Sequence, residues 1–202
     1  MGISNISDYH YLRFKYSPVK KKVSLIIVTF VLVHTGIAQQ IYLTHTGLAS
    51  FVSEAPLEVI RAKSSEVSGA INLAERTFAF FIDNKSFKGF NSSLQQEHFY
   101  ENYMEAQQYP TSSFKGRIIE EIGLNPGQEQ TVRAKGLLDI HGVIQERIIK
   151  GTIKILDNKI QLDADFTVLL EDHGIKIPRV VYQKIAEEIK ISVSAELIRK
   201  TE

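Results

Sequence analysis

Apolar and polar side chains alternate along most of the C-terminal half of the chain. In residues 131–140 the even positions are apolar or small and most odd positions are polar, and residues 160–170 and 189–197 repeat this pattern. Strict period-two alternation places one set of side chains on each face of an extended chain. The pattern therefore predicts three β-strands, each with one buried and one solvated face.

Further strands are predicted around these three. Asp157-Asn158-Lys159 has the composition of a tight turn and joins a strand at residues 148–156 to the strand that follows, as in a β-hairpin. Residues 67–73 and 78–82 are short strands with alternating or apolar composition. Parallel strands need long crossover connections, and the chain lacks repeated helices between its strands. The sequence predicts an all-β, antiparallel protein.

One convincing helix interrupts the strands, at about residues 92–108. The helix starts with Ser92 or Ser93, each of which precedes a glutamine by three residues in capping-box spacing, and Tyr109-Pro110 ends the segment because proline disfavours helix before it. A second, short helix is predicted near residues 179–186, after Pro178.

The N-terminus has the features of a secretory signal peptide. Lys20, Lys21 and Lys22 precede an apolar run at residues 23–33, and the small residues Gly36 and Ala38 predict cleavage after Ala38. The alternative is an uncleaved anchor, but residues 23–38 fall short of the ~20 residues that span a bilayer. Residues 1–18 add nothing that export needs, so Val19 is a candidate alternative start. We expect a leader at 1–38, one domain at 39–202, and a periplasmic or secreted protein.

Charge and cysteine content exclude several functions. Residues 1–38 hold five of the 24 basic and one of the 23 acidic residues, so residues 39–202 carry 19 minus 22, a net charge of −3. This net charge gives no indication of a basic surface that would bind nucleic acid. The chain has no cysteine, which excludes disulfides and thiol chemistry, so the exported domain must be held by its core.

Four segments in order resemble the YceI-like family of exported lipid-binding β-barrels. They are the helix, Tyr-Pro turn and returning strand at 97–116, the strand-like segment at 134–143, the opening strand at 45–51 and the loop at 172–178. Gly47-Leu48 departs from the family pattern in the first strand. The resemblance implies an antiparallel, lipocalin-like barrel over residues 39–202 that holds an isoprenoid, quinone-like or fatty molecule.

The faces that point into such a barrel mix large with very small residues. Small inward residues leave a void that an apolar ligand can fill, or they mark sites where strands bend sharply. With the resemblance favouring a cavity, the candidate lining residues are Phe114, Leu138, Ile153, Ala164, Phe166, Val168, Ile191, Val193 and Ala195.

Phe99 and Tyr103 lie four residues apart on one face of the predicted helix. Such a pair either docks the helix on the barrel or serves as a gate over an open barrel end. Both readings place an apolar helix face against the strands.

Four histidines remain in residues 39–202: His45, His98, His141 and His173. They lie far apart in sequence and match no close-spaced metal motif.

We expect non-catalytic ligand binding, with no catalytic residues, no metal ligands and no cofactor beyond a bound lipid or isoprenoid. The alternatives are a metal- or haem-linked redox accessory, if these histidines converge, and a surface interaction module with a filled barrel. Expected partners are an apolar small molecule and transient membrane contact, with the protein a monomer or homodimer.

Overall fold

A computed structural model describes residues 40–123 and 125–200, which form a closed barrel of eight antiparallel strands. Each strand pairs with its neighbour in sequence, and the last pairs with the first. The predicted all-β antiparallel fold is confirmed, whereas the predicted leader at 1–38 lies outside the described residues. The strands are β1 (Ile41–Glu54), β2 (Val59–Asn72), β3 (Thr77–Asp83), β4 (Thr111–Ile118), β5 (Glu129–Ile140), β6 (Val143–Leu156), β7 (Lys159–Leu169) and β8 (Glu188–Arg199).

The β5–β6 hairpin turns at His141 and Gly142, inside a segment that the sequence indicated as strand. Ile140 pairs with Val143, and both turn residues have positive φ, 55° at His141 and 71° at Gly142. Two consecutive positive φ values define the type I′ turn that matches the twist of a hairpin. The early turn lets β6 start at Val143, five residues before the predicted strand.

The predicted helix at 92–108 is shorter than expected. Helix α1 (Ser93–His98) begins after Ser92, whose side chain caps the Gln95 amide, and a π-helical turn follows at Phe99–Tyr103. The helix ends there because Glu105 takes a φ of +42°, which no helix continues through. The second predicted helix, at 179–186, is only a 3₁₀ turn at Arg179–Val181. Within the described ranges, no helix has both the length and the apolar character to cross a bilayer.

The first strand is irregular around Gly47-Leu48, where the sequence departs from the family pattern. Its register with β2 shifts between Thr44 and Gly47 and again between Gly47 and Ala49. The extra residues change which positions face inward, from Tyr42 and Thr44 before the shift to Gly47 and Ala49 after it. A bulge of this kind bends a strand and helps a sheet close.

The two ends of the barrel differ in their packing. One end carries the start of β1, the end of β8 and the short β2–β3 and β6–β7 turns, and its interior is filled by a buried cluster, the closed-end cluster. The other end carries the β1–β2 turn, helix α1 and the β7–β8 connection. The closed-end cluster consists of Tyr42, Ile71, Leu73, Phe78, Ile118, Val132, Ile153, Ile155, Ile160, Ala195 and Leu197.

Candidate ligand-binding cavity

A cavity of about 500 Å³ occupies the barrel half opposite the closed-end cluster. Inward-facing residues of the strands form its wall, and residues of α1 and of the β7–β8 connection lie over its end. The volume falls within the ~300–1,000 Å³ range of small-molecule sites. Most of the lining side chains are aliphatic or aromatic, so the interior favours an apolar occupant.

The structure brings together most of the candidate residues on this wall. Eight of the predicted side chains line the cavity, two of them from the helical segment. They are Phe114, Leu138, Phe166, Val168, Ile191, Val193, Phe99 and Tyr103.

Three candidates, Ile153, Ala164 and Ala195, lie away from the cavity. Ile153 and Ala195 are buried within the closed-end cluster. Ala164 packs beside Gly151, at the last pair of the β6–β7 ladder. The closed-end cluster fills the barrel around Ile153 and Ala195, whereas Ala164 is partly buried and pairs with the cavity-lining Val193 without lining the cavity itself.

The inward glycines do not create the cavity. Gly116 and Gly136 are directly paired across β4 and β5, and a Cβ atom added at Gly116 would lie 2.1 Å from the Lys135 carbonyl oxygen. These glycines are therefore sites of close strand approach. The prediction that small inward residues leave the void is wrong at this pair.

An aromatic cluster closes the cavity beneath the helical segment. The Phe99 ring stacks on Phe51 with centroids 5.2 Å apart, and it also contacts Phe87, Phe90 and Tyr100 at 5.8, 5.1 and 5.8 Å. The sequence reading missed Phe51, Phe87 and Phe90 as site residues. The close spacing of Phe87 and Phe90, just before the helix, was the signal available.

Tyr100 fixes the helical segment to the chain that precedes it. Its hydroxyl donates to the Phe87 carbonyl at 2.6 Å and accepts from the Gln96 amide nitrogen Nε2 at 2.6 Å. Tyr103, by contrast, has its side chain partly buried on the cavity wall, and this burial raises the pKa of its phenol above the ordinary value. Tyr103 is therefore a neutral side chain at the end of the cavity.

The cavity reaches the surface between α1, the β1–β2 turn and the segment after Pro178. Glu58, Leu94, His98 and Lys184 border this mouth. Gln95 Nε2 donates to Glu58 Oε1 at 3.0 Å, so the helix and the β1–β2 turn are joined beside the opening. The polar side chains thus lie at the mouth, and the apolar ones lie deeper.

The barrel wall has a seam between β6 and β7 on the cavity side. The β6–β7 ladder runs only from Leu156↔Lys159 to Gly151↔Ala164. Beyond it, side chains join the two elements. Arg147 Nη2 donates to the Thr167 carbonyl at 2.8 Å, and Gln145 Nε2 donates to the Asp172 carbonyl at 2.7 Å.

The four histidines do not converge. His45 is exposed on β1 and His98 is exposed at the mouth, while His141 and His173 lie together near the β5–β6 turn. His141 Nδ1 faces the His173 carbonyl at 3.1 Å and its Nε2 faces Glu105 Oε2 at 2.8 Å. No group of three or more potential metal-binding side chains occurs among residues 40–123 and 125–200.

His173 is fully buried and holds the turn that covers the seam. Its Nδ1 lies 3.0 Å from the Val143 carbonyl, which can only accept, so Nδ1 carries the proton. The other ring nitrogen, Nε2, is buried and has no hydrogen-bond partner within the described part of the chain. The arrangement is a structural link between β6 and the Glu171–His173 turn.

These features define an eight-stranded antiparallel barrel with an apolar cavity open at one end. The family model described as the YceI-like domain matches residues 33–197, and the chain belongs to this family. No curated protein matches the chain.

Solved structures with the same fold share little sequence with the chain. A polyisoprenoid-binding domain from Saccharophagus degradans, implicated in plant cell wall breakdown, is 14% identical with a TM-score of 0.68 over 80% of this chain and 99% of that domain. BcnA of Burkholderia cenocepacia is 16% identical with a TM-score of 0.62 over 76% of this chain and 96% of BcnA. The YceI protein of Campylobacter jejuni is 14% identical with a TM-score of 0.52, covering 67% and 81% of the two chains.

Proposed function

We propose that this protein is a non-catalytic carrier that holds one long apolar molecule, such as an isoprenoid, a quinone-like molecule or a fatty lipid, in the cell envelope. The observation that carries the proposal is the apolar cavity of about 500 Å³ in the half of the barrel that the core leaves unfilled. The polyisoprenoid-binding domain of Saccharophagus degradans, which has the same fold, supports the ligand class.

Transfer of an apolar chain into this cavity is favourable enough to give useful affinity. Each CH₂ group removed from water contributes about 0.8 kcal/mol, so ten such groups offset much of the cost of immobilising the ligand. An apolar wall discriminates mainly by length and girth. We therefore propose a class of ligands and not a single molecule.

The polar groups that border the cavity support binding over catalysis. Glu58 accepts hydrogen bonds from Gln95 and Asn91, and Ser112 donates to Asn84 Oδ1 at 2.8 Å. These side chains join neighbouring segments to one another. The histidine-based alternative loses its geometric basis, because only His141 and His173 come together.

The location in the cell envelope depends on the leader. We propose that residues 20–38 direct export and that cleavage after Ala38 leaves a domain of residues 39–202. The position of β1 supports this boundary, because the strand starts at Ile41, just after the proposed cleavage site. The intact mass of the exported protein tests it: a mass that begins at Gln39 is expected, and retention of the apolar run at residues 23–33 would contradict it.

Mass spectrometry of organic extracts tests the bound molecule. Protein purified without detergent should release an apolar compound in roughly equimolar amount. The control is Val193→Trp, which places a bulky side chain on the cavity wall and should reduce the amount released. An extract without apolar compound, together with a protein that takes up none when offered, would contradict the proposal.

A further inference from the structure

We propose that the mouth of the cavity docks on the surface of an anionic lipid bilayer, from which the ligand enters. This inference rests on the proposed function, since it supplies the source of the apolar ligand. It is carried by four exposed apolar side chains around the opening, here called the mouth rim. The mouth rim consists of Leu57, Leu94, Val180 and Tyr182.

The mouth rim is unusually exposed for residues of this type. Val180 is 89% exposed, Leu57 66%, Tyr182 62% and Leu94 58%. They lie on three separate connections, the β1–β2 turn, α1 and the Arg179–Val181 turn, so each connection at the mouth presents at least one apolar side chain to the solvent.

Hydrogen bonds hold these connections together as one surface. The Leu57 amide donates to the Gln183 carbonyl at 2.9 Å, which joins the β1–β2 turn to the segment that carries Val180 and Tyr182. Gln95 donates to Glu58 at 3.0 Å and joins α1 to the same turn. The mouth rim therefore surrounds the opening instead of being scattered over the barrel.

The charge of the adjacent segment identifies the partner. Residues 174–186 contain Lys176, Arg179 and Lys184 and no acidic residue, and the acids Glu171, Asp172, Glu187 and Glu188 lie outside this segment. Of the acids near the mouth, Glu58 accepts from Gln95 and Glu54 pairs with Lys190 at 2.7 Å, while Glu97 on α1 is exposed. Apolar side chains with flanking cations and a tyrosine are the composition that binds the interface of an anionic bilayer.

Docking at this end would place the cavity directly over its ligand source. The cavity reaches the surface beside Leu94 and Lys184, so a chain leaving the bilayer would meet apolar wall without crossing bulk water. The opposite end of the barrel is filled by the buried side chains of the closed-end cluster.

Co-sedimentation with vesicles tests the docking. The purified exported protein, residues 39–202, is mixed with vesicles of phosphatidylcholine alone or of phosphatidylcholine with phosphatidylglycerol. We expect binding to the anionic vesicles that weakens with added salt, and a roughly tenfold weaker partition for the double variant Leu57→Ser, Val180→Ser. Neither of these residues lines the cavity. The charge variant Lys176→Gln, Arg179→Gln should lose the preference for anionic vesicles.

A matched control separates the mouth rim from general surface hydrophobicity. Leu48→Ser, Ile148→Ser removes one leucine and one other exposed apolar side chain from the outer wall of the barrel, where these residues are 54% and 57% exposed. This control should sediment like the unmodified protein. Equal losses in both double variants, or no binding of the unmodified chain to anionic vesicles, would overturn the docking proposal.

The proposed function is tested separately by measuring the binding of a fluorescent prenyl probe that is added in ethanol, without vesicles. The Leu57→Ser, Val180→Ser variant should bind this probe as tightly as the unmodified protein while taking it up more slowly from vesicles. A protein that binds the probe but not the vesicles overturns docking alone. A protein that binds vesicles but not the probe overturns the proposed function alone.

Discussion

Arg147 on β6 donates a 2.8 Å hydrogen bond from Nη2 to the carbonyl of Thr167 on β7, at a height where the two strands are no longer paired. The bond crosses the seam in the barrel wall. It satisfies the carbonyl oxygen of Thr167 on β7, which is not paired with β6 at this height. A side chain thus takes the place of the backbone ladder on the cavity side.

We expect Arg147→Met to loosen the seam. A hydrogen bond from a charged group contributes ~1.5–3 kcal/mol when buried, and Arg147 is partly exposed, so we expect the free energy of unfolding to fall by about 1 kcal/mol. Amide hydrogen exchange of residues 165–169 should accelerate. The control is Lys150→Met, an exposed position on the same strand. Unchanged exchange in Arg147→Met would show that the bond does not hold the seam.

The Tyr109 ring makes Gly142 irreplaceable in the β5–β6 turn. A Cβ atom at Gly142 would lie 2.3 Å from Tyr109 Cε1, whereas Gly127, which also has positive φ, has no atom within 4 Å of its added Cβ. Gly127→Ala should therefore cost only the ~1–2 kcal/mol of left-handed backbone strain. Gly142→Ala should cost at least about 1 kcal/mol more, as overpacking does. Equal losses in chemical denaturation would mean that Tyr109 moves aside freely.

Val193 and Ala195 point inward from the same strand but meet different surroundings. Val193 lines the cavity, while Ala195 is buried in the closed-end cluster. Val193→Trp and Ala195→Phe add comparable volume. We expect Ala195→Phe to destabilise the protein by about 1–3 kcal/mol through overpacking, and Val193→Trp to lower probe affinity with a smaller loss of stability. Thermal melts and probe titrations are measured on both variants. A larger loss of stability in Val193→Trp, with lower probe affinity in Ala195→Phe, would place the cavity at the end of the barrel that carries Ala195.

Phe99 and Tyr103 are expected to differ, although the sequence paired them as a gate. Phe99 lies at the centre of the aromatic cluster, so Phe99→Ala should cost about 3 kcal/mol, the low end for such truncations. Tyr103→Ala should speed release of a bound prenyl probe at a smaller cost, because Tyr103 lies at the end of the cavity without a hydrogen bond partner in the described residues. Unchanged release from Tyr103→Ala would leave the helical segment as a brace only.

Period-two alternation predicted the strands at residues 131–140, 160–170 and 189–197, because it reports which side chains face inward, and the lack of repeated helices between strands predicted the antiparallel fold. It could not predict where the barrel is empty. Val193 and Ala195 satisfy the same alternation, yet only Val193 meets the cavity. Whether the barrel interior is filled at a given height depends on the inward side chains of all the strands at that height. The sequence pattern of one strand does not give this information.

Local irregularities were missed for a related reason. The positive φ of Glu105 ends the helical segment early, and the Glu105 carboxylate binds His141, 36 residues away in sequence. Tertiary contacts of this kind override local helix preference. The close pairing of Gly116 and Gly136 is likewise a relation between two strands, so neither glycine alone indicated it.

Quenching of single tryptophans locates the bound molecule, which we propose occupies the open half of the barrel and not the closed end. The chain has no tryptophan, so Phe166→Trp on the cavity wall and Tyr42→Trp in the closed-end cluster each report one location. A brominated fatty acid, whose bromine quenches on contact, is titrated into both variants. We predict saturable quenching in Phe166→Trp and little in Tyr42→Trp. Equal quenching of both, or no quenching of Phe166→Trp, would show that the open half of the barrel is not the specific binding site.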